Sequence, residues 1–320
     1  MAGLQQDHLI RPFADADYAV MVELWNLLNP DWPRTMENYK LEATLEPRFR
    51  RTRFVAEAEG RPLGFLDFGT NPGAYHPQKF GFELFVHPDR HGQGIGKALY
   101  QKLLDELRPL NPLSLRVPVR ENQTRAVRFF QDRGYEETKR DWVSVLEVAK
   151  INLEPFAGLD ISPIRIHTFA ELSAADPKAD EKLHELFSDI RVDTPRSEPA
   201  TPISLEFFRA NVLAEGPEFD PGAFFIALDG ERWVGMSCLY SITDTKGLDH
   251  WFTGTRRAYR GRKIALALKL RTVQYAQAGG FETIRTDNDS LNAPMLAINE
   301  KLGFARGPAQ ISLRKLLRGE

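Results

Sequence analysis

A mixed α/β layer fold, present twice in one chain, is what the sequence predicts, and three observations predict it. The chain has 320 residues, a length at which one core stops growing and splits, so two domains of roughly 150 residues are expected. Segments of similar sequence recur in the same order in both halves: Ala56 and Gly64 of FVAEAEGRPLGF match Ala227 and Gly235 of FIALDGERWVGM, 171 positions later, and HGQGIGKAL from His91 matches RGRKIALAL from Arg260, 169 positions later. Apolar runs with a strand period alternate with runs of helical period, the pattern of a sheet covered by helices.

Taken in order, each half reads as a strand, helices, a strand pair, a strand, a helix, a strand, a helix and a final strand. The strand pairs are Phe54 to Phe65 and Phe225 to Met236, each broken by a tight turn. Leu99, Leu103 and Leu107 recur every fourth residue and predict a helix from Gly96 to Arg108. Ile264, Leu268 and Thr272 do the same from Ile264 to Ala276. Gly134-Tyr135 matches Gly303-Phe304, and the apolar runs Trp142 to Val148 and Ile311 to Leu317 read as matching final strands. The expected domains are therefore residues 1–152 and 163–320, with 153–162 as linker. Pro-rich loops at Asn29 to Pro33 and Asp193 to Pro202 are placed to border a cleft.

Composition narrows the function. With 42 Lys+Arg against 44 Asp+Glu, the net charge of -2 gives no long-range attraction to polyanions, so neither nucleic acid nor an anionic membrane is the expected partner. Cys238 is the single cysteine; it supports neither a disulfide nor a cysteine metal site and reads as a small core residue, and no metal is expected. The start MAGLQQDHLIRPF lacks a secretory apolar stretch, and no run reaches the ~18 apolar residues of a membrane span, so a cytoplasmic protein is expected.

The most informative segment is Glu83 to Leu104, where an apolar strand runs through a Pro turn into three glycines and an amphipathic helix. Glycines let main chain approach an anion, and the unpaired N–H groups of the helix start point at it. The spacing fits neither of two better-known loops. A Walker loop requires Gly at 91 and Ser or Thr at 98, where His91 and Ala98 stand. A dinucleotide fingerprint fails because Lys97 or Leu99 falls at its third glycine. Taken alone, the glycines also suit a plain tight turn.

At these residues the chain resembles the GNAT superfamily of acyl-CoA-dependent N-acyltransferases, whose loop is Arg or Gln, two variable residues, Gly, one variable residue, then Gly or Ala. His91, Gly92, Gln93, Gly94, Ile95 and Gly96 match except at the first position, and Lys97 follows. Arg260, Gly261, Arg262, Lys263, Ile264 and Ala265 match except for Lys263, whose N–H suffices if its φ is negative. Asn292, with MLAINEKLGF, resembles the family's following helix motif, and Asn122 is its counterpart shifted by a residue. The architecture implied is two tandem domains, each a mostly antiparallel splayed sheet flanked by helices.

The resemblance implies direct attack by a neutral amine on the thioester of acetyl-CoA or another acyl-CoA. Diphosphate would lie on the two loops, and pantetheine along Phe85 and Val86, or Thr253 and Thr255, with a backbone N–H as oxyanion donor. The acceptor is a small-molecule amine or a peptide amine. Glu83, which interrupts an apolar run, is the candidate general base. Phe252 stands at the equivalent position, so His250, two residues earlier and expected on the same strand face, is the substitute, with Asp249 on the opposite face. The family's Tyr acid falls at Phe130 and Asn299, and neither can serve. That departure keeps open a carrier-binding or structural protein without turnover, and a nucleotide-binding regulator is the third reading. Tyr135 is expected in the core and Tyr259 as a loop anchor. Trp25, Trp32, Tyr39, Phe207 and Phe208 line either core or an acceptor pocket.

Overall fold

The structure is a computed structural model that describes residues 8–30, 32–36, 39–40, 49–195 and 199–318. Asp31 of the first Pro-rich loop and residues 196–198 of the second lie outside the described residues. The elements run β1 (Leu9–Pro12), α1 (Tyr18–Leu28), β2 (Arg51–Ala58), β3 (Arg61–Gly69), β4 (Lys79–Val86), α2 (Ile95–Leu107), β5 (Ser114–Arg120), α3 (Thr124–Gln131) and β6 (Glu136–Glu147). The second half continues β7 (Arg165–Thr168), α4 (Phe169–Ala175), α5 (Ala179–Arg191), α6 (Leu205–Asn211), β8 (Phe224–Asp229), β9 (Arg232–Ile242), β10 (Gly247–Thr255), α7 (Ile264–Ala278), β11 (Thr283–Asp289), α8 (Ala293–Leu302), β12 (Ala305–Arg306) and β13 (Gln310–Leu316). The expected mixed α/β order is borne out in both halves.

The chain forms two compact units, Met1–Thr138 with Ile311–Glu320, and Lys139–Gln310. These differ from the expected domains 1–152 and 163–320. In the first unit the strands run β1-β2-β3-β4-β5-β13, so the sixth strand comes from the end of the chain. In the second they run β7-β8-β9-β10-β11-β6, with Asp141 to Glu147 of β6 antiparallel to β11. The two final strands carry the same apolar alternation, so either one satisfies the exposed N–H and C=O groups beside β5 or β11. Their assignment to their own halves fails for that reason.

In both units the first four strands in spatial order are antiparallel. One sheet face of the first unit packs Phe80, Phe82 and Val86 against Leu99, Leu103 and Leu107 of α2, and the other packs Phe65 and Phe85 against Met21 and Leu24 of α1. The second unit packs Leu239 and Leu248 against Leu266 and Leu270 of α7, and Met236 and Cys238 against α5 and α6. Cys238 is a buried core thiol as expected, and burial pushes its pKa up.

Candidate functional site

Both strand-to-helix loops take the same backbone form. Gly92 and Gly94 have φ of +83° and +85°, and Gly94 is the left-handed residue from which α2 starts. Gly261 and Lys263 repeat this with φ of +75° and +61°, Lys263 preceding α7. Lys263 thus has positive φ, so the condition of a negative one is not met, because the turn into the helix demands that conformation whatever the residue; an L-residue held there costs roughly 1–2 kcal/mol. The starting N–H groups of each helix have no intrahelical partner, so both loops present an anion-receiving end.

Beside each loop a strand edge lies open. Parallel pairing of β4 with β5 covers only Lys79 to Gly81, and that of β10 with β11 only Gly247 to Asp249. From Phe82 to Val86, and from Phe252 to Thr255, each strand is bonded on its inner side, to β3 or β9, and is no longer paired with its parallel neighbour, the Thr286 hydroxyl of β11 making the last bridge to β10 at the His250 carbonyl, 3.2 Å away. Phe85, Val86, Thr253 and Thr255 therefore all lie on open edges. On the inner side Gly64 lets β3 lie close against β4 in the first unit, because a Cβ there would stand 2.9 Å from the Phe85 carbonyl oxygen. Gly235 has the matching place, 3.2 Å from the Gly254 carbonyl oxygen.

The loop side chains differ. His91 is exposed, but its Nε2–H donates to the Val86 carbonyl at 2.9 Å and so ties the loop to the strand end. Gln93 and Lys97 are exposed, and the Arg125 guanidinium lies 3.5 Å from where a Gly92 Cβ would stand. In the second unit Arg260 donates to Asp193 at 2.5 Å, and Arg257 forks onto the same carboxylate. Those two guanidiniums hold the Asp193 carboxyl at about 2. Arg262 is exposed, with its guanidinium 4.9 Å from the centre of the Tyr259 ring. Tyr259 anchors the loop through Asp229, at 2.9 Å.

At the helix motifs, Asn292 is the residue preceding α8, and its side chain accepts from Met295 N. The residue with the same backbone angles before α3 is Gln123, not Asn122, which is exposed. Gln123 donates to the Leu28 carbonyl, joining α3 to the end of α1.

Glu83 is half-buried on β4, but a guanidinium holds it: Arg34 donates to both carboxylate oxygens at 2.9 Å. Arg34 lies 3.8 Å over the Trp25 ring and donates to the Tyr39 hydroxyl, and Trp25 meets Phe85 edge to face. Trp25 is thus a half-buried wall beside the open edge, and Trp32 supplies the carbonyl to which its indole N–H donates. Tyr39 and Phe208 are fully buried core. Phe207 is partly buried on α6.

His250 does not share a face with Phe252. The register of β10 against β9 slips between these residues, leaving Trp251 as an extra residue, so the two-residue alternation breaks. His250 Nε2 lies 2.7 Å from Ser237 Oγ and 2.9 Å from Thr253 Oγ1, whereas Phe252 packs on Phe187. Burial pushes His250 well below its usual range, so the ring is neutral.

Arg34, Arg125, Asp193 and Lys269 take part in these sites unannounced by any motif. Only Lys269 left a signal, as a charge between Leu268 and Leu270 in a helix otherwise apolar on most sides. It stands 169 positions after Tyr100, and donates to Asn299. At the corresponding places of the first unit, Phe130 is buried, the Tyr100 hydroxyl donates to that of Tyr135 at 3.3 Å, and Phe82 packs edge-on against Phe130. Tyr135 is core, as expected.

Among the described residues no group of three or more His, Cys, Asp or Glu is placed to hold a metal, and no helix is long and apolar enough to cross a membrane. The sequence profile of the Acetyltransferase (GNAT) family matches residues 20–135 and 183–304. A curated relative, L-2,4-diaminobutyric acid acetyltransferase of Nocardia farcinica, is 31% identical over 100 residues, which is 29% of this chain; the chain spans about half (49%) of that relative's length. Two solved structures share the fold along the whole chain. A GCN5-related N-acetyltransferase from Sphaerobacter thermophilus has a TM-score of 0.70 at 19% identity, covering 100% of this chain and 98% of its own. A tandem GNAT protein from the clavulanic acid biosynthesis pathway has a TM-score of 0.75 at 17% identity, covering 98% and 100%. With the profile matched once in each half, the chain belongs to the acetyltransferase (GNAT) family and is a tandem member of it.

Proposed function

We propose that the protein is an N-acyltransferase that moves an acyl group, acetyl in the first instance, from acyl-CoA to the amine of a small molecule or peptide. One observation carries this reading: in each unit a strand edge released by its neighbour leads directly into a left-handed turn and a helix N-terminus. That pairing fits a long carrier whose amides add to a strand and whose diphosphate meets main-chain N–H groups. When bound, acyl-CoA supplies a thioester carbonyl open to an amine. Val86, or Thr253 and Thr255, offer edge N–H groups to polarise that carbonyl, while the Phe85 N–H beside Val86 turns inward to β3. Gly92 to Lys97 and Gly261 to Leu266 receive the diphosphate, with Arg125 adding charge at the first loop. The second loop's Arg260 meets an anion only in competition with Asp193. Glu83 accepts the proton of the incoming ammonium while Arg34 holds its carboxylate in place. A relative named for acetylating a small diamine supports an amine acceptor.

The test is CoA release with a panel of amines. Gly94→Glu puts a carboxylate on the first loop and is expected to weaken acetyl-CoA binding at least tenfold, since a like charge facing diphosphate costs several kcal/mol. Glu83→Gln is expected to lower turnover about 100-fold or more with little change in acetyl-CoA affinity. Acetyl-CoA binding that neither Gly94→Glu nor Gly261→Glu weakens would overturn the proposal.

A further inference from the structure

Helix α7 buries Leu266, Ala267, Leu268, Leu270 and Val273, and in their midst Lys269 is only 2% exposed. An ammonium taken out of water is costly unless a counter-charge meets it. Here none does. Lys269 Nζ donates one hydrogen bond, to Asn299 Oδ1, and stands 4.9 Å from the centre of the Phe304 ring. Two of its three N–H groups are left over. Asn299 in turn donates to Asn288, which lies on β11 beyond Arg285, where pairing with β10 ends. On the β10 side the charge of Lys269 acts on His250, the first residue past the last paired one. The ammonium therefore stands at the head of the gap between β10 and β11, just where the Thr286 hydroxyl makes the last bridge, to the His250 carbonyl. In the first unit rings occupy the corresponding places, with Tyr100, Phe130 and Phe82 in contact.

We propose that the second unit discharges the carrier in this gap, with Lys269 giving the departing sulfur its proton. The proposal rests on the acyl-CoA reading and assigns part of its chemistry to the second unit. The acceptor nitrogen bonds to the acyl carbon, the carbon–sulfur bond breaks with its electron pair on sulfur, and a proton on Lys269 Nζ moves to that sulfur to give the CoA thiol. The proton lost by the acceptor amine returns to Lys269 through solvent, so no other reactant is consumed. Burial lowers Lys269 to about 7, beneath the ordinary thiol value of about 8.5, so the transfer runs downhill. Of the groups facing Lys269 from neighbouring elements, His250 is neutral, and Asn299, Asn288 and Phe304 carry no charge.

The test is calorimetric binding of CoA and of desulfo-CoA to the full chain, in a Gly94→Glu background that closes the first loop. The sulfur is expected to make CoA bind about tenfold tighter than desulfo-CoA, the worth of one charge-assisted hydrogen bond. In Lys269→Met that preference falls below about twofold while desulfo-CoA affinity holds, which one lost hydrogen bond requires. Lys269→Gln, which still donates to Asn299, is expected to behave like Lys269→Met and guards against a folding defect. No preference in the parent, a preference that survives both substitutions, or an equal loss for both ligands overturns the proposal. Failure of the unsubstituted chain to bind acetyl-CoA, CoA and desulfo-CoA sinks the acyl-CoA reading instead.

Discussion

Gly94 and Gly96 stand two residues apart, one before and one inside the start of α2, and replacing each by Ala is expected to move stability in opposite directions. Gly94 has φ of +85°, and nothing lies within 4 Å of where its Cβ would stand, so the cost of Gly94→Ala is wholly conformational. A left-handed L-residue costs roughly 1.5 kcal/mol, and the stiffer unfolded chain returns about 0.5, a net loss of about 1 kcal/mol. Gly96 lies inside α2, with Leu84 and Val86 methyls 3.8 Å from its would-be Cβ, an ordinary contact. Gly96→Ala should therefore gain about 0.5–1 kcal/mol from helix propensity. With a urea dependence of about 2 kcal/mol/M, the midpoint of unfolding falls by about 0.5 M in the first variant and rises by about 0.3–0.5 M in the second. Lys263→Gly, in the second loop, is expected to follow Gly96→Ala upward, since it relieves the same strain. Circular dichroism across a urea series reads all three. Ala substitutions that shift the midpoint in the same direction would refute this account of the loop.

Three further outcomes follow from the geometry. Asp193→Asn removes the carboxylate that occupies Arg257 and Arg260, and is expected to raise acetyl-CoA affinity at the second loop about tenfold by calorimetry, as charge-assisted bonds of about 1.5 kcal/mol become available. Gly64→Ala drives a methyl to 2.9 Å from the Phe85 carbonyl oxygen, and a loss of about 1–3 kcal/mol in urea denaturation is expected, as for other overpacked sites. Lys269 binds its proton less tightly when folded, at about 7 against an ordinary 10.5; the unfolded chain then holds more protons between these values, so stability rises from pH 7 toward pH 10. Thermal unfolding of Lys269→Met across that range should lose this component of the slope.

Local chemistry made much of the fold legible. The helix after each loop begins within a residue of its expected start, at Ile95 and Ile264, because glycine spacing and a four-residue apolar stripe are short-range signals. Parity along a strand is equally local, yet it misplaced His250, since a one-residue bulge at Trp251 leaves no mark in the alternation. Long-range pairing was hidden altogether. Arg34 reaches Glu83 across 49 positions and Arg260 reaches Asp193 across 67, and neither arginine differs in its own neighbourhood from a solvated one. The helix position that holds Asn299 was found by counting back from Gly303, but its lysine partner lies on another helix.

The exchange of the last strands bears on how the protein is made. Synthesis proceeds from the N-terminus, and domains emerging first ordinarily fold first. Here the unit that begins the chain waits for Gln310–Leu316 to cover β5, while the later-encoded unit has the six strands β7-β8-β9-β10-β11-β6 once β11 has left the ribosome, and then lacks only α8 and the two-residue β12 that pairs with β6. Until then the nascent β5 is a bare edge, open to pairing with a neighbouring copy. Translation that stops short of residue 310 would leave the second lobe whole and the first unfinished, so a nascent-chain truncation series should show protease resistance arriving in reverse of the coding order.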